Sequence, residues 1–102
     1  MAQFDVHQGS GTKKPPYFVV LQTDMLRVAE TVVVAPLYPV GSPMLPMIPR
    51  LHPTFDVDGV PLVLVATLLA SVRRNFLGTR IASLADRRDD IIAALDMLFT
   101  GV

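Results

Sequence analysis

Few residues in this chain are equipped for chemistry. Two imidazoles, His7 and His52, and one adjacent pair of guanidinium groups, Arg73 and Arg74, are the groups suited to hold a phosphodiester and move a proton, as a metal-independent ribonuclease requires. Neighbouring residues of an extended strand point to opposite faces, so Arg73 and Arg74 form a poor clamp and fit a solvated role better. His7 closes a short strand beside a glycine-containing loop, and His52 lies between Leu51 and Pro53; an ordinary packed or surface role outweighs a catalytic one for each. There is no cysteine, no HExxH pair, no GxSxG turn and no phosphate-cradling glycine loop. No catalytic residue, metal ligand or cofactor site is therefore expected.

Composition sets further bounds. A length of 102 residues fits one domain over 1–102, and with 51% hydrophobic and 18% charged residues the chain is too apolar for disorder and rich for a small monomer. Self-association is expected. Nine basic residues balance nine acidic ones, which leaves no overall field for nucleic acid. The absence of cysteine fits a reducing compartment. The first residues lack the order of a signal peptide, and no apolar run approaches the ~20 residues that cross a bilayer, so a cytoplasmic protein without a membrane partner is expected.

The elements follow from short apolar runs. Residues Gln3 to Val6 alternate and read as a first strand, followed by a Gly, Ser, Lys and Pro loop to Pro16. Tyr17 to Gln22 and Thr31 to Leu37, rich in β-branched and aromatic residues, are the next strands, with Met25 and Leu26 in the connection between them. Five prolines between Tyr38 and Pro53 limit that segment to turns or an edge strand, although Met44, Leu45, Met47, Ile48 and Leu51 give it apolar surface to bury. Thr54–Val57, Asp58-Gly59 and Val60–Ala66 form a hairpin with a type I′ turn, since Asp-Gly accepts positive φ. Leu68 to Val72 extends the sheet until Arg73-Arg74-Asn75 interrupts it before a short Phe76-Leu77 segment.

One helix is expected from Ser83 onward, capped by Ser83 with Asp86 or by Asp86 with Asp89. Its apolar stripe is Ile91, Ile92, Leu95, Leu98 and Phe99, and Gly101 suits its closing residue. A stripe that runs this close to Val102 is either core packing, the commoner case, or a contact surface. The mixed charges of Asp86 to Asp90 read as intrahelical pairing. Together these elements make a mainly β, small antiparallel barrel with one C-terminal helix.

Organised in this way, the chain resembles the CcdB family of bacterial toxins nearly end to end. The likeness is carried by AQFDVH (Ala2 to His7), FVVLQTDML (Phe18 to Leu26), VVVAPL (Val32 to Leu37), ATLLASV (Ala66 to Val72) and DDIIAALDMLFTGV (Asp89 to Val102), in matching order and spacing. The resemblance implies an SH3-like barrel of the CcdB/Kid/MazF kind and a twofold homodimer with its terminal helices near the axis. It also implies a toxin that acts by binding: the dimer engages DNA gyrase through the gyrase A protein and traps the enzyme with its DNA cleaved. A CcdA-like antitoxin neutralises such a toxin, and operator DNA is reached only through the antitoxin.

Carried over by position, the implied gyrase-facing residues are Met25, Leu26, Asp96, Phe99, Thr100, Gly101 and Val102. The sequence departs from the family at three of them. Thr100 stands where well-known members carry tryptophan, Asp96 where they carry asparagine, and Val102 where a larger aliphatic residue ends the chain. Loss of an aromatic interface anchor costs at least about 2 kcal/mol, so gyrase affinity is expected to fall by roughly 30-fold or more. Two alternatives stand beside this implied function: an mRNA-cleaving toxin on the same fold, and a non-poisoning member that keeps antitoxin binding.

Overall fold

A computed structural model of the chain describes residues 1–26, 29–43, 45 and 48–101, with Leu26 described by its backbone alone. Among these residues the strands are β1 (Asp5–Gly9), β2 (Tyr17–Val20), β3 (Thr31–Pro39), β4 (Thr54–Val57), β5 (Val60–Leu64), β6 (Ala70–Arg73) and β7 (Leu77–Ser83), followed by helix α1 (Arg88–Thr100). All pairings are antiparallel in the order β4-β5-β3-β2-β1-β7, with β6 also beside β3. No ladder among the described residues joins β4 to β7, so the sheet curls as a mainly β half-barrel with one helix.

The hairpin at Asp58-Gly59 forms as its chemistry dictates. Both turn residues have positive φ, 51° and 82°, and Val57 pairs with Val60 across them. Strand β3 holds Pro36 as expected and runs two residues further, to Pro39, although proline is normally excluded from a central strand. Its partners explain this. On one edge β3 pairs with β6 from Thr31 to Val34 and with β5 from Leu37 to Pro39, so Pro36 sits where one partner leaves and the next arrives. The Pro36 carbonyl accepts from Val65 N at 2.9 Å, and its nitrogen faces that same gap.

Strand β7 is longer than the sequence predicts, because Gly78 and the weak alternation of Leu77 to Ser83 hide it. Glycine is required at position 78: a Cβ there would lie 2.9 Å from the Gly9 carbonyl oxygen of the neighbouring strand. Asp5, buried on β1, is held by Arg80 of β7 at 3.1 Å. In the proline-rich segment Ile48 remains exposed rather than buried, while Met44 and Met47 lie outside the described residues.

Alternate residues of the sheet build two apolar clusters. Val6, Val19, Ala35, Leu37, Phe55, Leu62, Leu64 and Ile91 of α1 share the larger one. Val20, Val32, Val34 and Leu77 share the smaller one, closed at its margin by the edge-on pair Phe18 and Phe76, whose centroids are 5.0 Å apart. Neither expected cap starts α1. A 3₁₀ turn over Ala85–Arg87 leads into the helix, no side chain caps it, and the Ser83 hydroxyl accepts from Ala85 N instead. Asp89 and Asp90 still place negative charge in the first turn, and Arg87 bridges Asp90 at 2.8 Å while its guanidinium lies over the Phe55 ring.

Candidate target-binding site

Helix α1 buries Ile91 and Ala94 completely and Ile92, Leu95, Met97 and Leu98 in part. Phe99, eight residues beyond Ile91, lies roughly 80° further round the helix. Ile92, about 100° round from Ile91, is half-buried at the start of the helix. Phe99, on nearly the same face at its end, is 69% exposed, so the barrel covers that face at the start of α1 and not at its tip. The commoner reading of Phe99, completion of the core stripe, is therefore corrected: the stripe ends at Leu98 and the last aromatic ring faces outward.

The helix closes on itself beyond that ring. Gly101 adopts the left-handed conformation at φ 78°, and its N–H donates to the Met97 carbonyl at 3.1 Å. The Thr100 hydroxyl donates to the Asp96 carbonyl at 2.7 Å, one turn back. Its donor is spent on the helix. Asp96, Thr100 and Gly101 are all exposed, and Val102 lies outside the described residues.

Met25, in the 3₁₀ turn Asp24–Leu26, is 88% exposed. The other exposed large hydrophobic side chains among the described residues are 42–54% exposed, so Met25 and Phe99 stand apart as the two most solvent-facing apolar groups. Among the described residues no hydrogen bond or ion pair joins the Met25 turn to the end of α1. What steadies that turn is invisible to sequence reasoning. Gln3 N–H donates to the Asp24 carboxylate at 2.6 Å and the Gln3 side chain donates to the Leu21 carbonyl at 3.0 Å, whereas the alternation of Phe4 with Val6 signals only a strand.

The candidate catalytic residues lie on different elements, His52 before β4, Arg73 at the end of β6 and Arg74 in the turn that follows. His52 is buried, with Nε2 on the Thr67 hydroxyl at 3.1 Å and Nδ1 without a partner. Arg73 stands opposite Thr31 at the start of β3, and Arg74 turns its guanidinium to the Ala29 carbonyl. His7 does not end its strand: it lies within β1, buried, with Nδ1 against the Gly78 carbonyl at 2.9 Å and Nε2 unpartnered. No group of three or more metal-ligating side chains forms among the described residues, and no helix there is long and apolar enough to cross a membrane.

A curled antiparallel sheet with one helix is also the fold of known toxin structures. An endoribonuclease in complex with its cognate antitoxin, from a mycobacterial species, superposes with a TM-score of 0.74 at 14% identity, over 95% of this chain and 92% of that one. The Mycobacterium tuberculosis toxin MazF-mt6 superposes with a TM-score of 0.75 at 18% identity, over 93% and 95% of the two chains. The chain belongs to the CcdB protein family, whose model matches residues 3–101, and this places it among toxin–antitoxin toxins. No curated protein sequence matches it.

Proposed function

We propose that this chain is the toxin of a type II toxin–antitoxin system, a single CcdB-like domain that dimerises, binds the gyrase A protein and traps the cleaved gyrase–DNA complex. The observation that carries this reading is the pair of outward apolar side chains, Phe99 and Met25, on a CcdB-family chain whose other large hydrophobic groups, among the described residues, are more fully covered. A twofold toxin on a twofold target offers the same patch twice and gains a second contact without new chemistry. A CcdA-like antitoxin is its proposed regulator, in line with the antitoxin complex known for a protein of this fold. Expression in a gyrase-sensitive host is expected to arrest growth with gyrase covalently linked to broken DNA. Arrest without such cleavage complexes removes gyrase as the target.

One observation favours a second reading, a member that binds antitoxin without poisoning. Position 100 presents no aromatic anchor, and the threonine hydroxyl there is turned back onto Asp96. Thr100→Trp separates the two. If the native chain is harmless and Thr100→Trp kills through gyrase, the non-poisoning reading stands; if the native chain already forms cleavage complexes, it falls. The ribonuclease alternative has the fold in its favour, but the imidazole it would use is buried against Thr67.

A further inference from the structure

Met25 and the end of α1 are separate in sequence, yet both must be held still to act as one surface, and residues 1–5 link the Met25 turn to the segment that starts the helix. On one side Gln3 N–H donates to the Asp24 carboxylate at 2.6 Å, one residue from Met25, while the Gln3 amide holds the Leu21 carbonyl at 3.0 Å. On the other side the Phe4 carbonyl accepts from Leu84 N at 2.8 Å, just before the turn into α1, and the buried Phe4 ring belongs to the same cluster as Ile91. Phe4 N–H donates to the Val20 carbonyl at 2.6 Å, and the Ala2 amide is held by Asp5 at 2.9 Å. Phe4 makes these links at φ 68°, a left-handed conformation that costs a non-glycine residue roughly 1–2 kcal/mol. A large aromatic residue keeps such a conformation only where its surroundings fix it, and strain of this kind concentrates where geometry matters.

We infer that the carboxylate of Asp24, clasped by the Gln3 backbone, is a positioning group that sets where Met25 stands relative to α1. The inference rests on the proposed role of Met25 as a target contact. Asp24 itself acts through the turn: its acceptor Oδ1 is occupied by Gln3, and a charge-assisted bond to backbone N–H is among the stronger side-chain links available to an exposed turn.

The test compares native protein with Asp24→Ala and Asp24→Asn, each also in a Met25→Ala background, for binding to purified gyrase A. Asp24→Ala is expected to weaken binding roughly tenfold with an unchanged unfolding midpoint, while Asp24→Asn, which keeps an acceptor, retains most affinity. Without Met25 the Asp24→Ala effect is expected to vanish, which a residue acting independently of Met25 does not show. Full affinity in Asp24→Ala, or an undiminished loss in the Met25→Ala background, overturns the inference. Amide hydrogen exchange needs no target and keeps the two proposals apart. Faster exchange at Gln3 and Thr23 to Met25 in Asp24→Ala, with the sheet unchanged, upholds the clasp even if native protein ignores gyrase; identical exchange overturns it.

Discussion

Phe99→Ala is expected to lower affinity for gyrase A by roughly 30-fold or more and to leave the thermal midpoint within a few degrees of the native value. The two halves of this result come from the same number. A ring that is 69% exposed contributes little to the stability of its own protomer, because most of its apolar area is still in water. The same area is available to be covered by a partner, and an aromatic side chain carries a large share of interface energy when it fills a pocket. With Thr100 in place of an aromatic residue, no second ring shares the burden at the tip of α1, so, on the proposed function, truncation at Phe99 is expected to remove the main anchor. Titration calorimetry with purified gyrase A, beside a melting curve of each protein, checks both halves. A variant that binds as the native chain does moves the contact elsewhere, and one that unfolds at a much lower temperature makes Phe99 a structural residue after all.

That separation of roles along α1 is only partly legible in the sequence. The spacing of Ile91, Ile92, Leu95 and Leu98 gives the helix and its buried face, because a period near 3.6 residues survives any tertiary context. It overreaches at Phe99, because spacing assigns a side chain to a helix face without recording where along the helix the barrel stops covering that face: Ile92 is covered and Phe99 is not. Asp58-Gly59 announces its turn because few dipeptides accept two positive φ values in succession. The reverse holds for β7. Gly78 is there to let two backbones approach, a need created by Gly9 on a strand far earlier in the chain, and nothing local to Leu77–Ser83 records it. The residue types predict β3 from Thr31 to Leu37 with Pro36 inside it, but its extension to Pro39 depends on β5, which pairs with Leu37 to Pro39 from elsewhere in the chain. The candidate site divides likewise: Phe99 and Met25 are reached through family likeness, whereas the Gln3–Asp24 clasp joins residues 21 positions apart and belongs to the folded chain alone.

Ile91→Ala, two turns before Phe99, is expected to have the opposite effect. Ile91 is completely buried and joins α1 to Phe4, Leu84 and the strands of the larger cluster. Truncation removes three carbons from a close-packed site, and such changes cost about 2–5 kcal/mol, the range reflecting how far neighbours collapse into the space. For a domain of this size each kcal/mol moves the midpoint by roughly 4–8 °C, so a fall of at least about 10 °C is expected in thermal melts. Much of the total stability is at stake, because small domains hold only about 5–15 kcal/mol in reserve. Target binding also suffers, by a different route from Phe99→Ala: the ring at the tip is intact, but the helix that aims it is no longer seated. Cooling, which favours the folded form of a variant melting near the assay temperature, is expected to restore binding to Ile91→Ala and never to Phe99→Ala. A melt unchanged by Ile91→Ala means that α1 is seated by contacts other than the barrel core, and then the direction in which Phe99 points no longer follows from the packing of this helix.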